Sequence, residues 1–244
     1  MIYQAARQGF GSGSEAYERG RPSYPPDAVA WLIEGLGIGP GRTVVDLAAS
    51  TGKLTRLLVP SGARVLAIEP VAAMRDRLAE QVPGVDVREG TAEALGLRDG
   101  SVDAVVVGQA FHWFDGAAAL AGIHRVLRPG GGLGLVWNVR DLASPLQAAV
   151  EEMTEPHRGE TPSYATGRWR DAFDTAGIAL EQHQEPYEQQ VDAEALADRV
   201  GSTSFIAVLP DEARLALLER VRALIPAGEV GRLRYTTNAY RCRP

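Results

Sequence analysis

Residues 44–55 read VVDLAASTGKLT, an apolar run of strand type that passes through a short turn into a helical pattern. Further apolar runs follow, and helical patterns separate most of them. The five predicted strands cover residues 43–48, 64–69, 85–89, 102–107 and 133–137, with helices at about 54–59, 72–81 and 117–127. Most of these strands are apolar on both faces, as buried parallel strands are. The alternation predicts parallel βαβ units in an open α/β sheet.

The flanks of this region predict the rest of a single domain over residues 1–244. An irregular arm of residues 1–26 precedes a helix over residues 27–35, which Asp27 is placed to cap. Residues 129–132 predict a turn before the fifth strand. Downstream, the pattern predicts a helix over 163–176, an edge strand over 179–191, helices at about 193–200 and 211–224, and a last strand over 232–241. We therefore expect residues 192–225 to form a helical cover inserted before the last strand.

The composition of the chain limits its partners. The 244 residues carry a net charge of −6 without a basic run, which argues against a nucleic-acid surface. No stretch approaches the roughly 20 apolar residues of a membrane span. Cys242 is the one cysteine, so no internal disulfide can form and a cytoplasmic location is the default. The histidines lack ligand spacing, which predicts no metal site. A homodimer is expected only because it is the commonest oligomer.

The turn at residues 48–52 lies where open α/β sheets bind nucleotides, at the carboxyl ends of the strands. Glu69 ends the second strand 23 positions after Asp46, so its carboxylate is placed to accept hydrogen bonds from ribose hydroxyls. A dinucleotide site needs a G-x-G-x-x-G pattern to admit the pyrophosphate. Only Gly52 is a glycine in this turn. A nicotinamide-dependent oxidoreductase is therefore the weaker alternative.

Several motifs in order give the chain a family resemblance. They are DLAASTG at 46–52, EP at 69–70 followed by Met74, GTAEAL at 90–95, DGSVD at 99–103, QAFHWF at 109–114 and RVLRPGG at 125–131. In this order and spacing the chain resembles, over nearly its whole length, the class I S-adenosylmethionine-dependent methyltransferases, in the small-molecule branch often labelled methyltransferase type 11. The resemblance implies a Rossmann-like, doubly wound, seven-stranded and mainly parallel sheet with helices on both faces.

The resemblance also implies S-adenosylmethionine as cofactor, S-adenosylhomocysteine as product and a set of cofactor-binding residues. The segment YERGRPSYP at 17–25 is similar to an arm that closes over the cofactor in one subgroup of the family. By that resemblance Arg21 and Tyr17 contact the aminocarboxylate end of the ligand, because a guanidinium suits a carboxylate and an aromatic ring suits a sulfonium. The implied set is Tyr17, Arg21, Asp46, Ala48, Ser50, Gly52, Glu69, Pro70, Thr91, Ala92 and Gln109.

Three of these residues depart from the family pattern. Ala48 and Ser50 stand where the family loop usually has glycine, and the side chain of Ser50 is expected to crowd the ligand. Thr91 stands where the residue that bonds adenine is often Asp, so that contact would pass to the backbone of Ala92. Other roles stay open as well, since Asp46 could cap the loop and Gly52 could serve helix–sheet packing.

His112 follows the fourth strand, near the expected position of the transferred methyl group. Imidazole titrates close to neutral pH, so His112 is a candidate catalytic base. The alternative is that the bulky cluster of residues 111–114 shapes a pocket wall. Asn138, at the end of the fifth strand, could bond an acceptor or merely a loop backbone.

The function implied by the resemblance is transfer of a methyl group to an oxygen, nitrogen or carbon atom of a small organic acceptor. An aromatic-lined pocket favours an acceptor of lipid-like or secondary-metabolite type. Two alternatives remain: a catalytically impaired protein that still binds S-adenosylmethionine, and the NAD(P)-dependent oxidoreductase.

Overall fold

The computed structural model describes residues 14–244, which contain one seven-stranded sheet in the order β3-β2-β1-β4-β5-β7-β6. The first five strands pair in parallel, and β7 is antiparallel to both of its neighbours. The strands are β1 (Thr43–Leu47), β2 (Arg64–Ile68), β3 (Asp86–Arg88), β4 (Val102–Gly108), β5 (Leu127–Arg140), β6 (Glu181–Val191) and β7 (Gly231–Cys242). This is the predicted doubly wound, mainly parallel α/β fold.

Ten α-helices accompany the sheet within residues 14–244. They are α1 (Ser14–Gly20), α2 (Pro26–Leu36), α3 (Thr55–Leu58), α4 (Ala72–Gln81), α5 (Gly116–Val126), α6 (Pro145–Thr154), α7 (Asp171–Ala176), α8 (Ala193–Gly201), α9 (Ser204–Ala207) and α10 (Asp211–Arg222). Among these described residues, no helix combines the length and the apolar character that crossing a membrane requires.

Two apolar layers lie on opposite faces of the sheet, because successive strand residues point to opposite sides. On one face, Val44 and Val106 join a core with Leu32 of α2 and Leu58 of α3. On the other face, strand residues such as Val105 belong to the core that includes Ile123 of α5 and Phe173 of α7. Helices therefore cover both faces of the sheet.

A third apolar cluster forms beside the antiparallel end of the sheet. Leu196 of α8, Ile206 of α9 and Val221 of α10 pack there with Val150 of α6 and Leu233 of β7. Of these helices, α8, α9 and α10 lie in the segment 192–225, where the sequence predicts a helical cover. The expected arm of residues 1–26 is described from Ser14 onward, and its first 13 residues lie outside the described part.

Three local expectations were wrong. Residues 129–132 do not form a separate turn but belong to β5. Leu127 pairs with Val102 of β4 and Gly132 pairs with Ala104, so the residues between Leu127 and Gly132 form a bulge. Helix α2 begins at Pro26, so Asp27 lies in its first turn rather than at its cap. Residues 163–176 form two 3₁₀ turns, Tyr164–Thr166 and Arg168–Arg170, before the short α7.

Candidate active site

A cleft crosses the carboxyl ends of β1, β2 and β4, at the edge where an open α/β sheet binds nucleotides. Its volume is about 110 Å³. We call it the nucleoside cleft. Its lining includes eight residues of the implied cofactor set, namely Tyr17, Ala48, Ser50, Glu69, Pro70, Thr91, Ala92 and Gln109. Met74, Trp113 and Phe114 add apolar surface.

A second cleft adjoins the first and contains most of the remaining implied residues. We call it the loop cleft. Arg21, Asp46 and Lys53 line it, and it shares Tyr17 and Gln109 with the nucleoside cleft. Gly52 lines neither cleft. A side chain there would meet Leu78 and Val82 of the α4 region at 3.0 Å, with φ at +87°. Gly52 is therefore needed where the loop packs against the helix.

The loop after β1 and the loop after β4 hold three non-glycine residues in the left-handed region. The φ angles are +57° for Ala48, +53° for Ser50 and +58° for Gln109. Such conformations cost of order 1–3 kcal/mol each and cluster at ligand sites. All three residues line the nucleoside cleft. The backbone at positions 48 and 50 thus keeps a glycine-like conformation although the residues are not glycine.

Glu69 fixes the shape of the nucleoside cleft. One carboxylate oxygen accepts a hydrogen bond from the backbone N–H of Ser50 and the other accepts one from the N–H of Val71, each at 2.9 Å. Burial raises the pKa of Glu69, and the two backbone hydrogen bonds oppose that rise. Each carboxylate oxygen has a second lone pair. The carboxylate can therefore hold the loop and still accept two hydroxyl donors.

Asp46 lies behind the loop and is buried, with 1% of its surface exposed. One carboxylate oxygen accepts a hydrogen bond from the Thr55 hydroxyl at 2.6 Å, while the other has no hydrogen-bond partner among the described residues. Burial, with a further contribution from the charge of Glu69, raises the pKa of Asp46 to about 7. A buried oxygen without a donor, beside the loop cleft, is suited to a cationic ligand group.

The hydrogen bond that His112 accepts and the burial of its ring oppose a role as base. The indole N–H of Trp137 donates to Nδ1 of His112 at 3.2 Å. Because an indole can only donate, Nδ1 must accept, and the neutral ring carries its proton on Nε2. Burial, with the charges of Arg158 and Arg21, lowers the pKa of His112 to about 4. His112 thus presents a neutral ring with an Nε2–H donor at neutral pH.

Residues that the sequence did not single out hold the arm over the site. The carboxylate of Glu18 in α1 accepts hydrogen bonds from the Thr51 hydroxyl and from Arg56, each at 2.6 Å. The ammonium of Lys53 donates to the Glu18 carbonyl at 2.7 Å. A sequence signal existed, because Glu18 lies in the YERGR arm motif and Lys53 is the only lysine.

Two predicted residues make contacts of their own within the protein. Arg21 donates to the backbone carbonyl of Ser202 at 2.8 Å and to its hydroxyl at 3.0 Å, and its guanidinium lies 5.2 Å from the Tyr17 ring centroid. The Asn138 amide donates to the Ser23 carbonyl at 2.8 Å and accepts from Thr237 at 2.6 Å. Asn138 thus bonds the backbone of the arm, which is the structural one of the two roles that the sequence left open.

A third cleft adjoins the other two and has a volume of about 170 Å³. We call it the arginine cleft. Arg21, Arg140, Arg158 and Arg199 line it together with His112, Asn138, Tyr164 and Phe205, and Tyr17, Gln109 and Trp113 border both it and the nucleoside cleft. Its lining thus combines four guanidinium groups with aromatic side chains.

Comparison with known proteins identifies relatives of this chain. Residues 45–135 match a family model described as a methyltransferase domain. An uncharacterized methyltransferase of Mycobacterium tuberculosis is 42% identical over 216 residues, which cover 88% of this chain and 85% of the relative. An uncharacterized methyltransferase-like protein of Schizosaccharomyces pombe is 35% identical over 231 residues, covering 93% and 90%.

Solved structures share the fold. A candidate type II methyltransferase from Anaeromyxobacter dehalogenans has a TM-score of 0.65 at 22% identity, covering 91% of this chain and 97% of that one. The geranyl diphosphate C-methyltransferase of Streptomyces coelicolor, solved with Mg²⁺, geranyl diphosphate and S-adenosyl-L-homocysteine, has a TM-score of 0.50 at 17% identity, covering 88% and 78%.

Proposed function

This chain belongs to the class I methyltransferase family, and from that premise we propose that it transfers the methyl group of S-adenosylmethionine to a small organic acceptor. The observation that carries the proposal is Glu69, a buried carboxylate at the end of β2 that is bonded to the loop after β1 and lines the nucleoside cleft. In this proposal the carboxylate accepts hydrogen bonds from both ribose hydroxyls.

The residues of the two cofactor clefts divide the remaining tasks in this proposal. The adenosine end lies against Pro70, Thr91 and Ala92, and the amino acid end lies in the loop cleft. There Arg21 faces the ligand carboxylate, and the unpartnered Asp46 oxygen faces its ammonium group. Tyr17 and Gln109, which border all three clefts, lie beside the sulfonium.

The arginine cleft holds the acceptor in this proposal. The cofactor supplies a methyl group already activated by the positive sulfonium, so a lone pair of the acceptor displaces sulfur in line and the electrons of the broken C–S bond remain on sulfur. A proton carried by the attacking atom is released to solvent after the transfer. The protein aligns the two reactants and excludes water, an effect worth up to about 7–11 kcal/mol. The arm and the helices of residues 192–225 close the site. His112 donates a hydrogen bond from Nε2 rather than accepting a proton.

Calorimetric titration of the purified chain with S-adenosylmethionine, S-adenosylhomocysteine and NAD tests the cofactor assignment. We expect both adenosyl ligands to bind at micromolar concentration and NAD not to bind. Glu69→Ala should weaken adenosyl binding at least tenfold, because hydrogen bonds to a charged group contribute about 1.5–3 kcal/mol.

A carboxylate on the surface of α4 supplies the control, and the fold is checked by circular dichroism. Glu80→Ala should leave the affinity unchanged, since 64% of that side chain is exposed. Undiminished affinity in folded Glu69→Ala would contradict the role of Glu69. Failure of both adenosyl ligands to bind the native chain would contradict the proposed function, and binding of NAD instead would favour the oxidoreductase.

A further inference from the structure

The arginine cleft gathers positive charge from four separate parts of the chain. Arg21 follows α1, Arg140 ends β5, Arg158 follows the turn after α6, and Arg199 lies on α8. Guanidinium groups that lie close together repel one another, and the attraction of an anion between them offsets this repulsion. Their convergence on one cavity is therefore an energetic cost that a bound anion would offset.

The carboxylates near these arginines do not balance them. Glu151 pairs with Arg140 at 2.7 Å and with Arg158 at 3.7 Å, and Glu155 pairs with Arg158 at 2.6 Å. The two carboxylates therefore pair with only two of the four guanidiniums.

The other two arginines have no carboxylate partner among the side chains that the structure describes. Within residues 16–244, no ion pair includes Arg21 or Arg199. The buried Nε of Arg199 also has no hydrogen-bond partner in this described range. The cleft thus keeps an excess of two positive charges; in the proposed function the cofactor carboxylate offsets that of Arg21, and Arg199 keeps an unused donor.

The electrostatic effect of this excess extends to neighbouring groups. Burial, with the charges of Arg199 and Arg140, lowers the pKa of Arg21 to about 9. Burial and the charge of Arg199 also lower the pKa of Arg140, although Glu151 opposes this change. The arginines are thus close enough to destabilise one another's charge.

We propose that the methyl acceptor is an organic anion, held in the arginine cleft through a carboxylate or phosphate group by Arg140, Arg158 and Arg199. This inference rests on the proposed function, because it assigns the acceptor of the same site. Guanidinium forks match carboxylate and phosphate oxygens in pairs. The acceptor's nucleophilic atom then lies toward Tyr17, Gln109 and Trp113, where the arginine cleft meets the nucleoside cleft.

The test titrates the full chain, with and without saturating S-adenosylhomocysteine, with benzoate, phenyl phosphate and the neutral benzamide. We expect at least one charged probe to bind, benzamide to bind at least tenfold more weakly, and added salt to weaken only the charged probe. Preference between benzoate and phenyl phosphate identifies the anionic group.

Matched double variants separate the cleft from general charge. Arg140→Gln/Arg158→Gln should weaken the charged probe at least tenfold and leave S-adenosylhomocysteine affinity within twofold, since neither arginine lines the two cofactor clefts. Arg64→Gln/Arg232→Gln makes the same charge change at side chains that are 68% and 65% exposed, and should change neither affinity.

Three results would overturn the inference: no binding of either charged probe, benzamide binding as tight as that of the better-bound charged probe, or full affinity for that charged probe in the cleft double variant. If the native chain binds the charged probe but does not bind S-adenosylhomocysteine, the result counts against the proposed function alone.

Discussion

At the scale of single residues, His112 shows how a neighbour can decide the chemistry of a titratable group. Trp137 donates to its Nδ1, and burial with two nearby guanidiniums keeps the ring neutral. A general base works best when its pKa lies near the working pH. With a pKa of about 4, His112 is a weak base at neutral pH, and its Nε2–H remains available as a donor to the arginine cleft.

We therefore expect the His112 ring to stay neutral from pH 8 down to about pH 5, with its proton on Nε2. Nitrogen NMR of the histidine rings across this range measures both properties, and His112→Gln assigns the signal. Once an acceptor is known, His112→Gln should reduce the rate less than tenfold, whereas loss of a general base costs about 10²–10⁴-fold. Titration near pH 6.5 would restore the role of base.

The sequence located some of these residues and missed others for a physical reason. The position of Glu69 in the nucleoside cleft was predictable, because a carboxylate that ends an apolar strand is rarely needed for packing. The sequence predicts that the Ser50 side chain crowds the ligand, but whether it does so depends on the direction of its hydroxyl. In the structure that hydroxyl contacts the sulfur of Met74 at 3.6 Å, a contact that the sequence does not reveal. Arg140 and Arg199 were missed because only the folded chain brings them together.

At the scale of elements, the short helix α1 is held by its charged side chains to two parts of the molecule. Glu18 bonds Thr51 in the loop after β1 and Arg56 in α3, and Arg19 pairs with Asp198 of α8 at 2.7 Å. Burial alone would raise the pKa of Glu18, but the hydrogen bonds from Thr51 and Arg56 and the charge of Lys53 outweigh burial and lower it. The arm is thus attached to the loop that it covers.

We expect Glu18→Ala to weaken S-adenosylhomocysteine affinity about tenfold, because the arm loses charge-assisted hydrogen bonds of roughly 1.5–3 kcal/mol. Titration calorimetry measures the affinity, and faster hydrogen exchange in α1 should accompany its loss. Arg19→Ala is the comparison from the same helix. In its ion pair with Asp198 the Arg19 side chain is 60% exposed, and ion pairs of exposed side chains contribute little to stability. Equal effects of the two variants would contradict a specific role for Glu18.

The elements themselves were predictable to different degrees. The buried parallel strands were found because they are apolar on both faces, and β6 was found from its alternation. The bulge in β5 was mistaken for a turn because proline and glycine mark both features in sequence. The arrangement of α7 and its preceding 3₁₀ turns depends on packing of Trp169 and Phe173 in the core, which local pattern does not reveal.

For the molecule as a whole, the buried carboxyl of Asp46 lowers the stability of the fold, and in the proposed function it also binds the cofactor. Its folded-state pKa of about 7 lies above the ordinary value of 3.8, so the folded protein holds this proton more tightly than the unfolded chain. The carboxyl therefore reduces the free energy of unfolding progressively as pH rises from about 4 to about 7. The full effect is of the order of a few kcal/mol.

Asp46→Asn should accordingly raise the Tm of the ligand-free protein at pH 8, and this gain should shrink toward pH 5. The same variant should bind S-adenosylmethionine more weakly at pH 8, because it lacks the negative charge opposite the ligand's ammonium group. Thermal unfolding across pH 5–8.5 measures the first effect and calorimetry the second. Asp211→Asn, at a side chain 86% exposed, should show no such trend. A Tm difference independent of pH would rule out the carboxyl charge as its cause.

The position of β7 has a consequence for how the chain is made. β7 is the last strand in the sequence, yet it lies between β5 and β6, and it is the partner to which β6 is paired. While the ribosome is still making residues 231–242, the edge of β5 stays open and β6 has no neighbour to join. The parallel half of the sheet can form before β7 is made, but the antiparallel half must wait until residues 231–242 have been synthesised. A chain that stops before residue 231 therefore loses the pairing of two strands at once, and it exposes a strand edge that invites aggregation.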